Sequence, residues 1–310
     1  SMPGQVWGAD QNDETVLIDG VSYHVLRTSE DWERFIQLVL DAKGNSDVNA
    51  IMDADISTGY SVGYRKEIPF RGIFDGNGHT LNVNIQASAT YLAPFSRVKD
   101  ATFRNLHVTG TVVGARHASG LIGYSSGDEI HIDNCRVSVG VGSTDGYAGG
   151  FVGHGQKTDH IINNCLFDGT LACSTYAGAI IGWEEGGTAN YVNNCLENGI
   201  YEKVSHKGFC YNKSTCYGNT ATNCKNNWSY MKWGEMDGKV VGSMSVADLV
   251  ATLGSKNWKV ENGEAVPVMG SFPGKDDVSV EAGDLFPGTE EGEEGIVKIP
   301  ITSDMPILWL

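Results

Sequence analysis

Apolar residues along the middle of this chain fall in short alternating bursts rather than in long stripes. From about residue 100 onward the bursts come in pairs that return at a nearly fixed interval. One member of the pair contains "IDNCRV", "INNCLF" and "VNNCLE", beginning at Ile132, Ile162 and Val192, with "ATNCKN" following from Ala221. Its asparagines, Asn134, Asn164, Asn194 and Asn223, are separated by 30, 30 and 29 residues, and a cysteine follows each. Counting back 29 from Asn134 reaches Asn105 in "FRNLHV", where leucine takes the place of cysteine. The other member is "HASGLIGY" (His117–Tyr124), "YAGGFVGH" (Tyr147–His154) and "YAGAIIGW" (Tyr176–Trp183).

Neither segment is long enough for a helix, and both are rich in β-branched residues, so both read as strands between glycine-rich turns. A fixed period of this length means a solenoid, propeller or array. Propeller blades need about 40–50 residues and four strands, and leucine-rich or ankyrin units need helices that are missing here. The pattern therefore predicts an all-β solenoid with one coil per repeat and equivalent residues stacked about 4.8 Å apart. Alternation puts Cys135, Val137 and Val139 on the interior face, with Cys165 and Phe167 below them. The asparagine is expected at a bend, bonding to backbone or to its neighbours in a ladder. The cysteines are expected as small buried hydrophobes with free thiols, because in-register side chains aim the wrong way to bridge neighbouring coils.

Solenoid ends must be covered to prevent edge pairing. "TSEDWERFIQLVLDAKGN" has Thr28 and Asp31 in capping-box spacing, then Trp32, Phe35, Ile36 and Val39 on one stripe, and a stop at Gly44. "SVADLVATLGS" repeats the device with Ser245, Asp248 and Gly254, and "NWKVENGEAVPVM" reads as two strands and a turn. The expected organisation is an N-terminal segment with capping helix over 1–57, repeats over 58–242, a helix-and-strand cap over 243–270, and an acidic linker with an apolar tail over 271–310. The tail, "IVKIPITSDMPILWL", is strand-like and reads either as the start of another domain or as a strand packing back.

A net charge of -16 argues against nucleic acid and against anionic lipid as partners. No apolar run reaches the roughly eighteen residues of a membrane span. Seven cysteines, an odd number, do not form a disulfide framework. Ser1-Met2 reads as a cloning remnant before an internal start, with any signal peptide removed.

"FRGIFDGNGHTLNVNI" (Phe70–Ile85), "NLHVTGTV" and the "GLIG" and "GFVG" segments together resemble the GLUG-type repeat proteins. The "DADIS" segment and "LGSKNWKVENGEAVPVM" are similar to that family's flanks, so the likeness spans roughly 15–270. It implies a right-handed parallel β-helix, secreted or on the surface of gut or oral bacteria, often as an adhesin-like module. In some relatives the repeat accompanies an immunoglobulin-cleaving metallopeptidase with a His-Glu-x-x-His helix, which this chain lacks. The departures are "YLAPFSR" (Tyr91–Arg97), the missing glycine of "GAIIG", and the loosened stretch after Cys195, where Cys210 and Cys216 stand either free or paired.

Candidate chemistry is sparse. If Leu121, Phe151 and Ile180 point inward, Tyr124, His154 and Trp183 point outward in register. Trp183, with Glu184 and Glu185 beside it, suits a sugar: the ring stacks on a pyranose and the acids accept its hydroxyls. The bland reading of the same ladder is turn stabilisation. His117, Tyr147 and Tyr176 have the opposite parity and are expected inside. Trp228, Tyr230 and Trp233 are expected to cover the last coil rather than to line a pocket. Glu129 and Asp159, equivalent residues of adjacent coils, would lie about 5 Å apart, the separation of retaining glycosidase acids. Turn acids are usually only solvated, so this signal is weak. Asp75 is expected to serve its turn, and His79 lacks a nucleophilic partner. "DQNDE" (Asp10–Glu14) begins like a calcium loop but has no glycine at the sixth position. "NKS" and "NWS" match the glycosylation acceptor.

No metal or cofactor is expected. The reading is a non-catalytic extracellular module, adhesin-like, that binds a glycan or host glycoprotein or spaces other domains. The alternative is a polysaccharide-active lyase or glycoside hydrolase on the same scaffold. Oligomeric state is left open.

Overall fold

A computed structural model of the chain describes residues 13–185, 189–204, 206–210, 224–230, 239–270, 290–291 and 297–298. The state of Cys210 and Cys216, free or paired, together with Asn223, Trp233, the "NKS" acceptor and most of the tail, lies outside the described residues.

The chain winds into a parallel β-solenoid of about 6 turns. Each coil contributes to three faces. In one coil Glu129–Asp133 lies on the first face, Arg136–Ser143 on the second, and Tyr147–Gly149 with Val152–Gly155 on the third. Neighbouring coils repeat this in register: Ile132 pairs with Ile162, and Ile162 with Val192. Inward residues build one continuous core that includes Val108, Val137, Phe151, Phe167 and Ile180, all essentially inaccessible. Because every coil satisfies its backbone bonds from the coils on either side, side-chain stacking is in register along the whole axis.

The asparagine at the first corner is a conformational requirement. Asn105, Asn134, Asn164 and Asn194 all have φ between 53° and 56°, the left-handed region that asparagine tolerates better than other side-chain-bearing residues. The corner asparagines bond to one another and to backbone as expected, Asn226 Nδ2 donating to Asn194 Oδ1 and Asn134 Nδ2 to Val268 O, both at 2.8 Å, and a second ladder forms one residue upstream. Asn163 Nδ2 donates to Asp133 Oδ1 at 3.1 Å, and Asn193 Nδ2 to Asn163 Oδ1 at 3.4 Å.

Cys135, Cys165 and Cys195 stack in the core as free thiols, as do the buried Cys173 and Cys224. Burial pushes the Cys165 thiol well above its usual range. In the following coil, however, Cys224 is not the residue that continues the cysteine column. Leu196 pairs with Trp228 and Asn193 with Lys225, so Asn226 (φ 58°) takes the corner and Asn227 stacks on Cys195. Asn227 is fully buried and uses its carboxamide twice, accepting from Cys195 N at 3.0 Å and donating to Val192 O at 2.8 Å. An amide can enter that column only because both its polar ends are satisfied. The "NWS" asparagine is therefore not an accessible acceptor.

Helix α1, Ser29–Ala42, has the complete capping box from Thr28 and Asp31, and ends through left-handed Lys43 followed by Gly44. It plugs the N-terminal opening of the solenoid. Trp32 packs edge-on to Phe74 (5.7 Å) and Phe95 (5.6 Å), and its Nε1 donates to Tyr60 O at 3.0 Å.

The C-terminal elements do something different. Helix α2, Val246–Leu253, and the hairpin of Trp258–Glu261 with Glu264–Pro267 form a second cluster with Leu166, Leu196 and Val241. Leu166 pairs with Arg136, an outward position, so this cluster lies on the flank of the second face rather than over the end of the core. It runs along the asparagine corner: Trp258 Nε1 donates to Asn194 O at 3.1 Å, Asn226 Nδ2 to Thr252 O at 2.8 Å, and Asn134 Nδ2 to Val268 O at 2.8 Å. Trp228 packs against the same cluster, which makes it flank cover rather than pocket wall.

Candidate functional site

The third face carries an array of partly exposed tyrosine and tryptophan rings with two buried imidazoles among them, and its shape comes from the Gly-x-x-Gly segments. A Cβ on Gly149 would lie 1.9 Å from Val152 O, and one on Gly150 would lie 1.9 Å from Ala179 O and 2.6 Å from the Phe167 ring. At those glycines the strand is interrupted, Tyr147–Gly149 ending and Val152–Gly155 beginning after two residues, and in the next coil the same place shows a bulge, a register shift between Gly178 and Ile181 against His206–Cys210. Phe151 dips into the core and the ladder resumes at Val152 paired with Ile181.

The bulge overturns one expectation. His117, Tyr147 and Tyr176 were expected inside on parity, but an extra residue in a strand restores the outward direction after it. Tyr124 and Trp183 are partly exposed as Tyr147 and Tyr176 are, while His117 and His154 are buried between them, so the two ladders pack against each other on one face. Together with Tyr91 they form one band. Within the columns His117 stacks on Tyr147 (4.9 Å, 11°), Tyr147 approaches Tyr176 (5.1 Å) and Tyr124 stacks on His154 (5.3 Å, 17°). Between columns His117 meets His154 edge-on at 4.8 Å, Tyr147 meets Trp183 at 5.1 Å, and Tyr91 meets Tyr124 at 4.9 Å. Two arginines lie over the band, Arg97 at 5.3 Å from the Tyr91 ring centre and Arg116 at 5.0 Å from that of Tyr147.

The band's imidazoles are held neutral. Burial, helped by the neighbouring His154, lowers the pKa of His117 to about 3, and burial lowers His154 as well. His117 Nδ1 and both ring nitrogens of His154 find no hydrogen-bond partner among the described residues. Glu185 Oε1 stands 3.4 Å from His154 Nε2, near enough to pair with a protonated ring. Glu185 is thus half-exposed beside Trp183, where a sugar-binding acid is expected.

Glu184 is not. Its side chain is fully buried and accepts from Asn190 Nδ2 at 2.6 Å. It ends a buried relay in which Ser125 Oγ contacts His160 Nε2 at 2.7 Å and His160 Nδ1 contacts Asn190 Oδ1 at 2.9 Å. Since Asn190 offers an oxygen, His160 donates from Nδ1 and accepts the Ser125 hydroxyl at Nε2. Burial lowers the His160 pKa to about 4, so the ring is neutral. The order serine, histidine, amide, acid looks like a nucleophile relay, but all four residues are 0 % exposed, and no substrate reaches Ser125. The relay is core structure. The sequence carried a signal for it that alternation alone overlooks: His160 and Asn190 stand in the column of Ile130, a core position.

Glu129 and Asp159 do come into register on adjacent coils. They line a broad depression of about 620 Å³ with Asp100, Asp128, His131 and Lys157. Each serves its turn: Asp159 Oδ1 accepts from Ala189 N at 3.0 Å, and Glu129 Oε1 lies 3.1 Å from His131 Nε2. Asp75 likewise holds its turn through Asn77 N at 2.7 Å and pairs with Arg104 at 2.8 Å. His79 lies 3.4 Å from Asp55. Among the described residues, no three His, Cys, Asp or Glu side chains converge as a metal site. No described helix is long and apolar enough to cross a membrane.

No family model matches the chain, and no curated protein matches it in sequence. Among solved structures it is similar to a protein from Bacteroides ovatus named provisionally as an immunoglobulin A1 protease. The superposition has a TM-score of 0.55 at 17% identity and covers 84% of this chain and 96% of that one. That likeness is one of fold.

Proposed function

We propose that this chain is an extracellular, adhesin-like module of the GLUG-repeat kind that binds a glycan or a host glycoprotein along its aromatic band. The observation that carries this reading is the continuity of the band: seven rings from successive coils lie against one another along one face, and five of them, Tyr91, Tyr124, Tyr147, Tyr176 and Trp183, are partly exposed. The partly exposed tyrosine and tryptophan rings of the band offer apolar faces for pyranose stacking, and the half-exposed Glu185 beside Trp183 is placed to accept from hydroxyls. Surface exposure of the protein in a gut or oral bacterium follows from the resemblance, and the Bacteroides ovatus neighbour, whose name refers to a host immunoglobulin, supports the same setting. The polysaccharide-active alternative has less support, because Glu129 and Asp159 are each engaged with neighbouring groups in an open depression and the Ser125–His160 relay is sealed in the core.

The test is binding of the purified chain to an array of microbial glycans, host glycans and mucins, with Trp183→Ala beside the wild type. Selective binding that the substitution weakens by about ten-fold or more supports the band as the site, since loss of one stacked aromatic is worth about 1–2 kcal/mol. Binding that ignores Trp183, or silence across the array, refutes it.

A further inference from the structure

The band ends at a pocket. About 570 Å³ is enclosed by residues that include Tyr60, Tyr64, Gln86, Thr90, Leu92 and Arg97, within the size range of small-molecule sites. Arg97 belongs to both features: its guanidinium covers the Tyr91 ring, and its Nη1 donates to Tyr64 O at 3.3 Å. That bond uses one of five donors.

The charge environment of Arg97 is unusual for this molecule. Six of the eight arginines, at positions 27, 34, 71, 104, 116 and 136, pair with a carboxylate. Arg65 stands exposed in solvent. Arg97 alone is half-buried with no carboxylate partner among the described residues, in a chain of net charge -16. Acids are abundant, yet no described carboxylate lies within ion-pair distance of it. A partly desolvated guanidinium laid over a ring and left with open donors is a preformed site for a planar or tetrahedral anion.

We infer that this pocket takes an acidic sugar unit, bearing a carboxylate or a sulfate ester, at the end of a glycan laid along the band. Arg97 binds the anion, Tyr60 and Tyr64 wall the ring, and Gln86 and Thr90 stand near its hydroxyls. The inference rests on the glycan reading of the band and adds the chemistry of the terminal unit to it.

The experiment compares affinities for a sialic-acid-terminated oligosaccharide, a uronic-acid oligosaccharide, a sulfated disaccharide and the neutral counterpart of each. These are measured by calorimetry on wild type, Arg97→Gln and Trp183→Ala. The expected result is a preference for acidic over neutral forms of about ten-fold to a hundred-fold, the worth of one charge-assisted hydrogen-bond pair. Arg97→Gln should abolish that preference, bringing the acidic and neutral forms to equal affinity, whereas Trp183→Ala should weaken both forms and keep the preference. Preference confined to the carboxylate or to the sulfate arm identifies the anion. Equal affinity for acidic and neutral forms, or a preference that survives Arg97→Gln, overturns the inference while leaving the band as a glycan site. Silence for all ligands overturns both. Should Arg97→Gln melt early, wild type decides alone: affinity for the acidic ligand must fall with added salt and that for the neutral one must not.

Discussion

Replacing Gly150 by alanine tests the steric argument for the Gly-x-x-Gly segments. The added Cβ would lie 1.9 Å from Ala179 O and 2.6 Å from the Phe167 ring, against 3.4–4 Å for ordinary contact. Ala179 O is backbone of the next coil, and the coils are tied by bonds such as Gly150 N to Gly178 O at 2.8 Å. A gap of about 1.5 Å must therefore be opened between layers that stack at about 4.8 Å. Overpacking of this kind costs about 1–3 kcal/mol, and loosening one interlayer hydrogen bond adds about 1 kcal/mol. Gly140 is the internal control. It lies on the second face, where a Cβ would meet nothing closer than 3.8 Å. Gly140→Ala should stabilise by about 0.4–1 kcal/mol through the unfolded chain. Urea unfolding followed by circular dichroism reads both as midpoint shifts at constant slope. Opposite signs are expected, with a separation of about 2–5 kcal/mol. If Gly150→Ala lies within about 0.5 kcal/mol of wild type, or both variants shift alike, steric exclusion is not why glycine recurs there.

Stability should fall as pH drops from about 6.5 towards 4. His107 and His160 are lowered to about 4 and His117 to about 3, all chiefly by burial. In that window the unfolded chain binds protons that the native state refuses, so each histidine removes up to about 1.4 kcal/mol per pH unit. Asp75 and Asp133, raised by burial, act in the opposite sense towards the acid end. A midpoint that stays level between pH 7 and 4.5 would show that these rings are not buried neutral. Thiol titration in denaturant without reductant should find Cys135, Cys165, Cys173, Cys195 and Cys224 all reactive, and loss of any two together would reveal a bridge the stacked geometry forbids.

Much of this molecule was legible from its period. Stacked coils require the same residue type at the same angular position, so the solenoid, the inward cysteines and the corner asparagines are written as repeats. Local chemistry also marked both helices and the final hairpin, where Asn262 and Gly263 take the positive φ values such a turn needs. What the repeat could not show depends on contacts between non-equivalent residues. Parity placed His117, Tyr147 and Tyr176 inside, and only the bulge, an effect of glycines pressed against the next coil, brings them out beside Tyr124, His154 and Trp183. Spacing put Asn223 at the fourth corner, but the energetics of a satisfied amide against Cys195 favour Asn226 and Asn227 there. Neighbourhood in sequence made Glu184 a surface acid like Glu185, yet one residue of alternation turns it into the core to meet Asn190. The flank docking of the C-terminal helix and the lone guanidinium of Arg97 are likewise facts of three dimensions: each depends on which surfaces remain uncovered after the coils have stacked.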